Sequence, residues 1–334
     1  MIFRTEISPV NEGLPVCHED AIMLVGSCFA ESMGQKLKEG GFRVNINPWG
    51  VLYNPFSVSE CLEGLIRQES FGEQDVFFHE GMWYSYSFHG RYARPGKEEC
   101  LTTMNEAVTA GSAFLQKASV LIITFGTAWV YELAGSKKVV ANCHRMPSHY
   151  FTRRLLSFEE IVNRWRPLMQ LLREFNPGLK ILFTLSPVRY FQEGACNNSL
   201  SKAVLRLAIH QLKEERRESY YFPSYELLMD DLRDYRFYAA DLCHPSEEAI
   251  NYVWEKFCGC YFTGKTMELV KKVNRLYAAL DHRPLYGYSS GYIEFLRSCV
   301  DEINLLVRQH PQLSIDELKK EFEARLSSCG SGKN

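Results

Sequence analysis

Three apolar runs punctuate the first part of the chain, and helical patterns lie between and after them. The first is Ala21-Ile22-Met23-Leu24-Val25. Gly26-Ser27 breaks it, and a helix follows in which Ala30, Met33 and Leu37 share one face while Glu31, Gln35 and Lys38 point outward. Gly40-Gly41 ends that helix, as a left-handed terminus prefers. The second run, Ser119 to Phe125, follows a helix over roughly 99–117 and is broken by Gly126. The third, Lys180 to Leu185, is set off by Asn176-Pro177-Gly178 from a helix beginning near Ser157. Short unbroken apolar runs of this kind are strands buried on both faces, and helices between them make the sheet parallel. The fold class is α/β.

A further helical pattern runs near Ser199 to Glu218 and leads into a short aromatic strand around Tyr220 to Phe222. Between these units, residues 75–88 alternate aromatic and polar positions around Glu80-Gly81, and 129–141 does so around Gly135-Ser136. Both read as hairpins inserted around the sheet, where substrate loops usually sit. After Tyr261 the pattern is wholly helical, with segments Met267 to Leu280, Ile293 to Val307 and Ile315 to Leu326, the last two separated by His310-Pro311. The expected division is a main domain over 1–262 and a helical appendage over 263–334, with a polar tail from Ser327 that frays. The appendage carries more apolar positions than an isolated tail needs, which suits a homodimer paired through the C-terminal helices.

Charged residues make up 23% of the chain and the net charge is -2, so no basic field exists to hold nucleic acid or an anionic membrane surface. Met1 to Pro9 contains Arg4 and Glu6 and lacks a signal-peptide core, and no apolar run is long enough to cross a bilayer. The odd count of 11 cysteines, scattered rather than framed, fits reduced thiols in the cytoplasm. Cys258-Gly259-Cys260 has one residue between its thiols and no second pair nearby, which is not zinc spacing, so no metal or other cofactor is expected. No Gly-x-Gly-x-x-Gly or P-loop follows any of the strands.

The chemistry concentrates at Ser27. It stands where the first strand gives way to a helix, so its hydroxyl projects at the carboxyl edge of the sheet with backbone N–H groups of the helix start behind it. A serine at such a junction is also an ordinary helix cap. What favours catalysis is Asp241-Leu242-Cys243-His244-Pro245-Ser246, a loop leading into a helix whose apolar face is Ala249, Ile250, Val253, Trp254 and Phe257. His244 can serve as general base to Ser27, and Asp241 can orient the imidazole and stabilise its charged form. Cys28 is the competing nucleophile, because a helix N-terminus lowers a thiol pKa.

The string Gly26-Ser27-Cys28-Phe29-Ala30 resembles the name-giving motif of the GSCFA family, which is grouped with the SGNH hydrolases. The similarity also covers Asn47 to Pro55, Phe125 to Tyr131, Ala141 to His144, Ser186 to Arg189 and Asp241 to Ser246. It spans roughly residues 1–262 and omits the appendage. The resemblance implies a three-layer α/β/α, flavodoxin-like fold and assigns Ser27, Asp241 and His244 to a triad, with Ser27 and Gly50 as backbone oxyanion donors. One block departs from the pattern. Where SGNH enzymes show Gly-x-Asn, this chain has Gly126-Thr127-Ala128, and loss of one oxyanion donor typically costs about 3 kcal/mol of transition-state stabilisation.

Asn142 and Asn54 are the replacements considered for that donor, with Asn142 preferred, although an Asn in such a loop equally forms a turn with its own backbone. Gly126 and Thr127 are expected to line the substrate site, and His144 and Arg145 to reach its mouth. Trp49, Trp129 and Tyr131 flank the motif glycines, where aromatic faces stack on sugar rings or acyl chains or simply pack in the core. Arg189, just beyond the third strand, either holds a substrate carboxylate or pyrophosphate or makes a surface ion pair. Three functions compete. One is an esterase acting on an acylated carbohydrate or small metabolite, the second an O-acyltransferase using the same acyl-enzyme, and the third a non-catalytic binding protein with a degenerate oxyanion hole.

Overall fold

The computed structural model describes residues 4–281 and 289–330. Five strands, β1 (Ala21–Gly26), β2 (Arg43–Ile46), β5 (Val120–Phe125), β9 (Lys180–Leu185) and β10 (Ser219–Phe222), form one sheet in the order β10-β9-β5-β1-β2, parallel throughout. Counting only these strands along the chain, the order is 2-1-3-4-5, the flavodoxin-like winding. In such a sheet the strand order reverses between β1 and β5, and the crevice at their carboxyl ends is where ligands bind.

Two antiparallel ribbons are inserted: β3 (Phe77–His79) with β4 (Met82–Tyr84), and β6 (Trp129–Leu133) between β7 (Val139–Val140) and β8 (Phe151–Leu155). The first turns at Glu80-Gly81, both at positive φ, as the sequence expects. The second ribbon gains a strand, β8, that the alternation did not reveal. Its arginines hide it: Arg154 bonds to Glu132 at 2.7 Å and to Glu160 at 2.9 Å, so charged residues sit in a paired strand.

The helices are α1 (Cys28–Glu39), α2 (Pro55–Arg67), α3 (Lys97–Lys117), α4 (Phe158–Phe175), α5 (Gly194–Glu214), the short α6 (Ser224–Glu226), α7 (Glu247–Tyr261), α8 (Gly264–Asp281), α9 (Ser290–Gln309) and α10 (Asp316–Gly330). Successive strand residues point to opposite faces, and the two faces carry separate cores. Met23, Val25, Leu121, Ile123, Ile181 and Phe183 pack with residues of α2, α3, α4 and α5. Ile22, Leu24, Val120, Ile122 and Leu182 pack with Phe29, Met33 and Leu37 of α1 and with Val253 and Phe257 of α7. This is a three-layer α/β/α architecture.

The C-terminal helices α8, α9 and α10 build a third core around Val273, Leu296, Ile303, Leu318 and Phe322. They touch the main layer through the Ser314 N–H to the Gly41 carbonyl (2.9 Å) and a Lys38–Glu317 ion pair. The tail expected to fray from Ser327 continues as α10 to Gly330, and residues 331–334 lie outside the described residues. Among the described residues, no helix is long and apolar enough to cross a membrane.

Candidate active site

Gly26 is required where β1 ends. Its φ is 149°, and a Cβ there would lie 2.2 Å from the Thr124 carbonyl oxygen of β5. Its N–H donates to Asn47 Oδ1 at 2.8 Å, which ties the turn to the loop after β2. The next residue, Ser27, caps α1 from extended backbone, yet its hydroxyl makes no capping bond. Its Oγ is buried and has no hydrogen-bond partner. Leaving a buried hydroxyl unpaired costs about 1–3 kcal/mol, which an ordinary cap does not incur.

Ser27, Gly126, Thr127, Arg189 and His244 meet in one cavity of about 180 Å³, which Cys28, Tyr53, Ser186, Val188 and Tyr190 complete. It lies at the crevice between β1 and β5, with Gly126 against Ser27: a Cβ at Gly126 would stand 3.4 Å from that of Ser27. The loop bearing His244 is closed on itself by the Ala239 N–H to the His244 carbonyl (2.8 Å) and by Leu242 at φ 58°. The Arg189 N–H donates to the Cys243 carbonyl at 3.0 Å, which fastens this loop to the segment after β9.

Asp241 and His244 form a compact pair. Asp241 Oδ1 accepts the backbone N–H groups of Cys243 and His244, both at 2.9 Å, and Oδ2 lies 2.5 Å from His244 Nδ1. The two backbone donors, and then the imidazole, hold the Asp241 carboxyl down to about 2. An ionised carboxylate can only accept, so Nδ1 carries a proton, and in the neutral imidazole the lone pair is then on Nε2. That is the tautomer a general base needs. Both side chains are exposed, and the Ser27–His244 hydrogen bond is not formed in this structure.

Burial, the leading influence on Cys28, pushes its thiol up rather than down. A raised thiol is a poor nucleophile, which weighs for Ser27 over its neighbour.

The expected oxyanion donors are engaged elsewhere. The Ser27 N–H donates to the Thr124 carbonyl at 3.2 Å, and the Gly50 N–H to the Asn47 carbonyl at 2.7 Å. Gly50 has φ 85° and packs against His89, where a Cβ would come within 2.2 Å of that residue's own Cβ. Asn142 Oδ1 accepts the His144 N–H at 2.8 Å, and Asn54 Oδ1 accepts the Ser57 N–H at 2.9 Å as the cap of α2. Ala128, where the SGNH pattern has an amide, is fully buried, and its N–H donates to Ser201 Oγ at 2.8 Å.

Other sequence-selected residues also divide. Trp49 is fully buried and stacks on Phe88 at 4.6 Å between ring centroids, so it belongs to the core. His144 is buried with Nε2 2.7 Å from the Ser85 carbonyl oxygen, a satisfied loop histidine, and Arg145 is exposed outside the cavity. Trp129, Tyr131, Asn54 and Asn142 line a second cavity of about 430 Å³ that shares Tyr53, Thr127 and Tyr190 with the first. The Arg153 guanidinium lies 5.3, 5.0 and 5.3 Å from the ring centroids of Trp129, Tyr131 and Tyr190.

Lys202 was missed from sequence. It is buried in α5, and its Nζ donates to the carbonyls of Gly126 (2.8 Å) and Ser186 (2.6 Å). It thereby staples the segments after β5 and β9 that wall the Ser27 cavity. Burial drives its ammonium down to about 7. Its spacing to Leu205 and Ile209 on one helix face is the signal that it points inward.

Comparison with known proteins adds the family. No curated protein matches the chain. Among solved structures it is similar to a carbohydrate esterase family 3 from Talaromyces cellulolyticus, at 8% identity and TM-score 0.36, covering 75% of this chain and 98% of that one. It is similar to an acetyl esterase mutant with acetate ion, at 8% identity and TM-score 0.36, covering 76% and 99%. It is also similar to an acetyl xylan esterase from the rumen bacterium Butyrivibrio proteoclasticus, at 12% identity and TM-score 0.36, covering 82% and 66%. The family model described as GSCFA family matches residues 21–257, and that of the GSCFA domain protein, C-terminal domain, matches 273–328. The chain belongs to the GSCFA family.

Proposed function

We propose that the chain is a serine hydrolase of SGNH type that cleaves an O-acyl ester of a carbohydrate or small metabolite through a Ser27 acyl-enzyme. The observation that carries this reading is the buried, unpartnered Ser27 hydroxyl in the same cavity as an imidazole whose Nδ1 is fixed by Asp241. His244 Nε2 takes the Ser27 proton as Oγ attacks the acyl carbonyl, and returns it to the departing alcohol oxygen. Water then attacks the acyl-enzyme, Nε2 takes its proton, and the acid leaves as Ser27 is reprotonated. The oxyanion forms at the N-terminus of α1, where the leading N–H groups of a helix lack the carbonyl four residues back and the Ala30 N–H turns to the Ser27 carbonyl at 2.8 Å. In this reading Gly50 and Asn142 shape the neighbouring loops.

The cavity at Ser27 is small, which suits a short acyl group. The larger cavity beside it is walled by Tyr53, Trp129, Tyr131, Phe151 and Tyr190, a lining suited to a ring-shaped alcohol. The same second cavity favours one alternative, an O-acyltransferase in which a bound alcohol replaces water as acceptor. Residues 1–262 form the catalytic unit in either case, with 263–334 as an appendage.

The test is steady-state hydrolysis of acetylated sugars and of 4-nitrophenyl acetate by wild type and Ser27→Ala. Loss of turnover by about 1,000-fold or more in the variant is expected, and equal rates would reject the reading. Acetyl appearing on added sugar instead of as acetate would select the transferase.

A further inference from the structure

We infer that the alcohol portion of the substrate carries an anionic group, a carboxylate or phosphate a few bonds from the ester oxygen, and that Arg189 recognises it. This deepens the proposed function and rests on it. Arg189 lines the same 180 Å³ cavity as Ser27 and His244, so an anion bound there sits close to the scissile bond. Its backbone is fastened to the His244 loop through the 3.0 Å bond to Cys243. His244 delivers the proton to the leaving oxygen, so its side of the cavity is the alcohol side.

The guanidinium is held in place without an acid. It lies 4.3 Å from the Tyr238 ring centroid, 5.2 Å from that of Phe191 and 5.4 Å from that of Tyr235. Among the described residues no carboxylate pairs with it, whereas Arg153, Arg154, Arg164 and Arg166 each have a glutamate. No acidic residue lines the cavity, and the carboxylate beside it, Asp241, is engaged by His244 and two backbone N–H groups. Lys202 adds a buried basic group behind the Gly126 and Ser186 walls. A cationic cavity in a chain of net charge -2 is a local arrangement rather than a general surplus. Aromatic packing leaves the N–H edges of a guanidinium available, and its fork matches a carboxylate or phosphate.

The test compares O-acetyl-lactate with O-acetyl-lactamide, which differ in charge and hardly in size, and reads the ratio of their kcat/KM values. Wild type is expected to prefer the carboxylate by about 10- to 100-fold, the worth of one charge-assisted contact, and Arg189→Met to lose that preference. A ratio within one enzyme does not depend on how much of it is folded, and Arg189→Gln reads the same loss if the Met variant cannot be purified. No preference in wild type, or an equal preference in the variants, overturns the inference. If wild type cleaves no ester, including 4-nitrophenyl acetate, the esterase reading fails by itself. Calorimetric titration with inorganic phosphate then decides the anion site: binding lost in Arg189→Met supports it, and equal binding or none in both proteins overturns it.

Discussion

Replacing Lys202 by Met tests how the cavity walls are held. In the folded chain burial lowers the ammonium from 10.5 to about 7, so the folded protein sheds this proton near neutrality while the unfolded chain keeps it until about 10.5. Between those values the unfolded state binds more protons, so raising the pH stabilises the fold. The penalty of burying the charge is fully present below pH 7 and is relieved as the pH rises toward 10.5. At about 1.4 kcal/mol per pH unit the full relief is at most about 5 kcal/mol, of which about 2 kcal/mol falls between pH 7 and 9, because the group is half titrated at pH 7. Methionine carries no such penalty, but it leaves the carbonyls of Gly126 and Ser186 without their donor, at about 1–3 kcal/mol each. The variant is therefore expected to approach wild-type stability at pH 6 and to fall progressively behind above pH 7. Urea unfolding of both proteins at pH 6, 7, 8 and 9 reads the difference directly, since other titrating groups cancel. A difference that stays constant over that range would refute the reasoning, because it would mean that Lys202 ionises alike in both states.

Two further substitutions probe the turn and the orienting pair. Asp241→Asn removes the carboxylate that fixes the proton on His244 Nδ1, and kcat for 4-nitrophenyl acetate is expected to drop by about a thousandfold with KM little changed. A drop below tenfold would assign Asp241 to loop structure alone. Gly26→Ala forces a Cβ to within 2.2 Å of the Thr124 carbonyl oxygen and should cost about 3 kcal/mol or more in urea unfolding. Gly135→Ala, where a Cβ meets nothing within 4 Å, is the control and should change stability by less than about 0.5 kcal/mol.

What could be read from the chain alone follows from where each residue's partners lie. β1, β5 and β9 are legible because both faces of each strand are buried, which leaves unbroken apolar runs. β2 is not, because at the sheet edge Arg43-Val44-Asn45-Ile46 is half exposed and carries two polar residues. The strand β8 is hidden by arginines whose glutamate partners stand 22 and 40 residues away. The helix expected over Ser199 to Glu218 begins at Gly194 and stops at Glu214, since its polar first turn carries no apolar period.

The same holds at the site. The placement of Ser27 and of the Asp241–His244 pair, the proposed catalytic groups, is legible because it is local: a serine at a strand-to-helix turn, and an acid and imidazole three residues apart. Trp49 and His144 share residue types with binding groups but spend them on a core stack and a carbonyl contact. Lys202 and Tyr190 escape notice for the opposite reason. Their roles depend on loops brought together only when β5 and β9 pair.

The proposed activity turns on Ser27 being a nucleophile activated by His244. A fluorophosphonate probe reacts with such a serine and leaves a covalent adduct, which peptide mass spectrometry can locate in the native protein. One adduct is expected, on Ser27, abolished by Ser27→Ala, strongly slowed by His244→Ala and retained in Cys28→Ala. Folded wild type that remains unlabelled, or an adduct that survives the loss of Ser27, would contradict it.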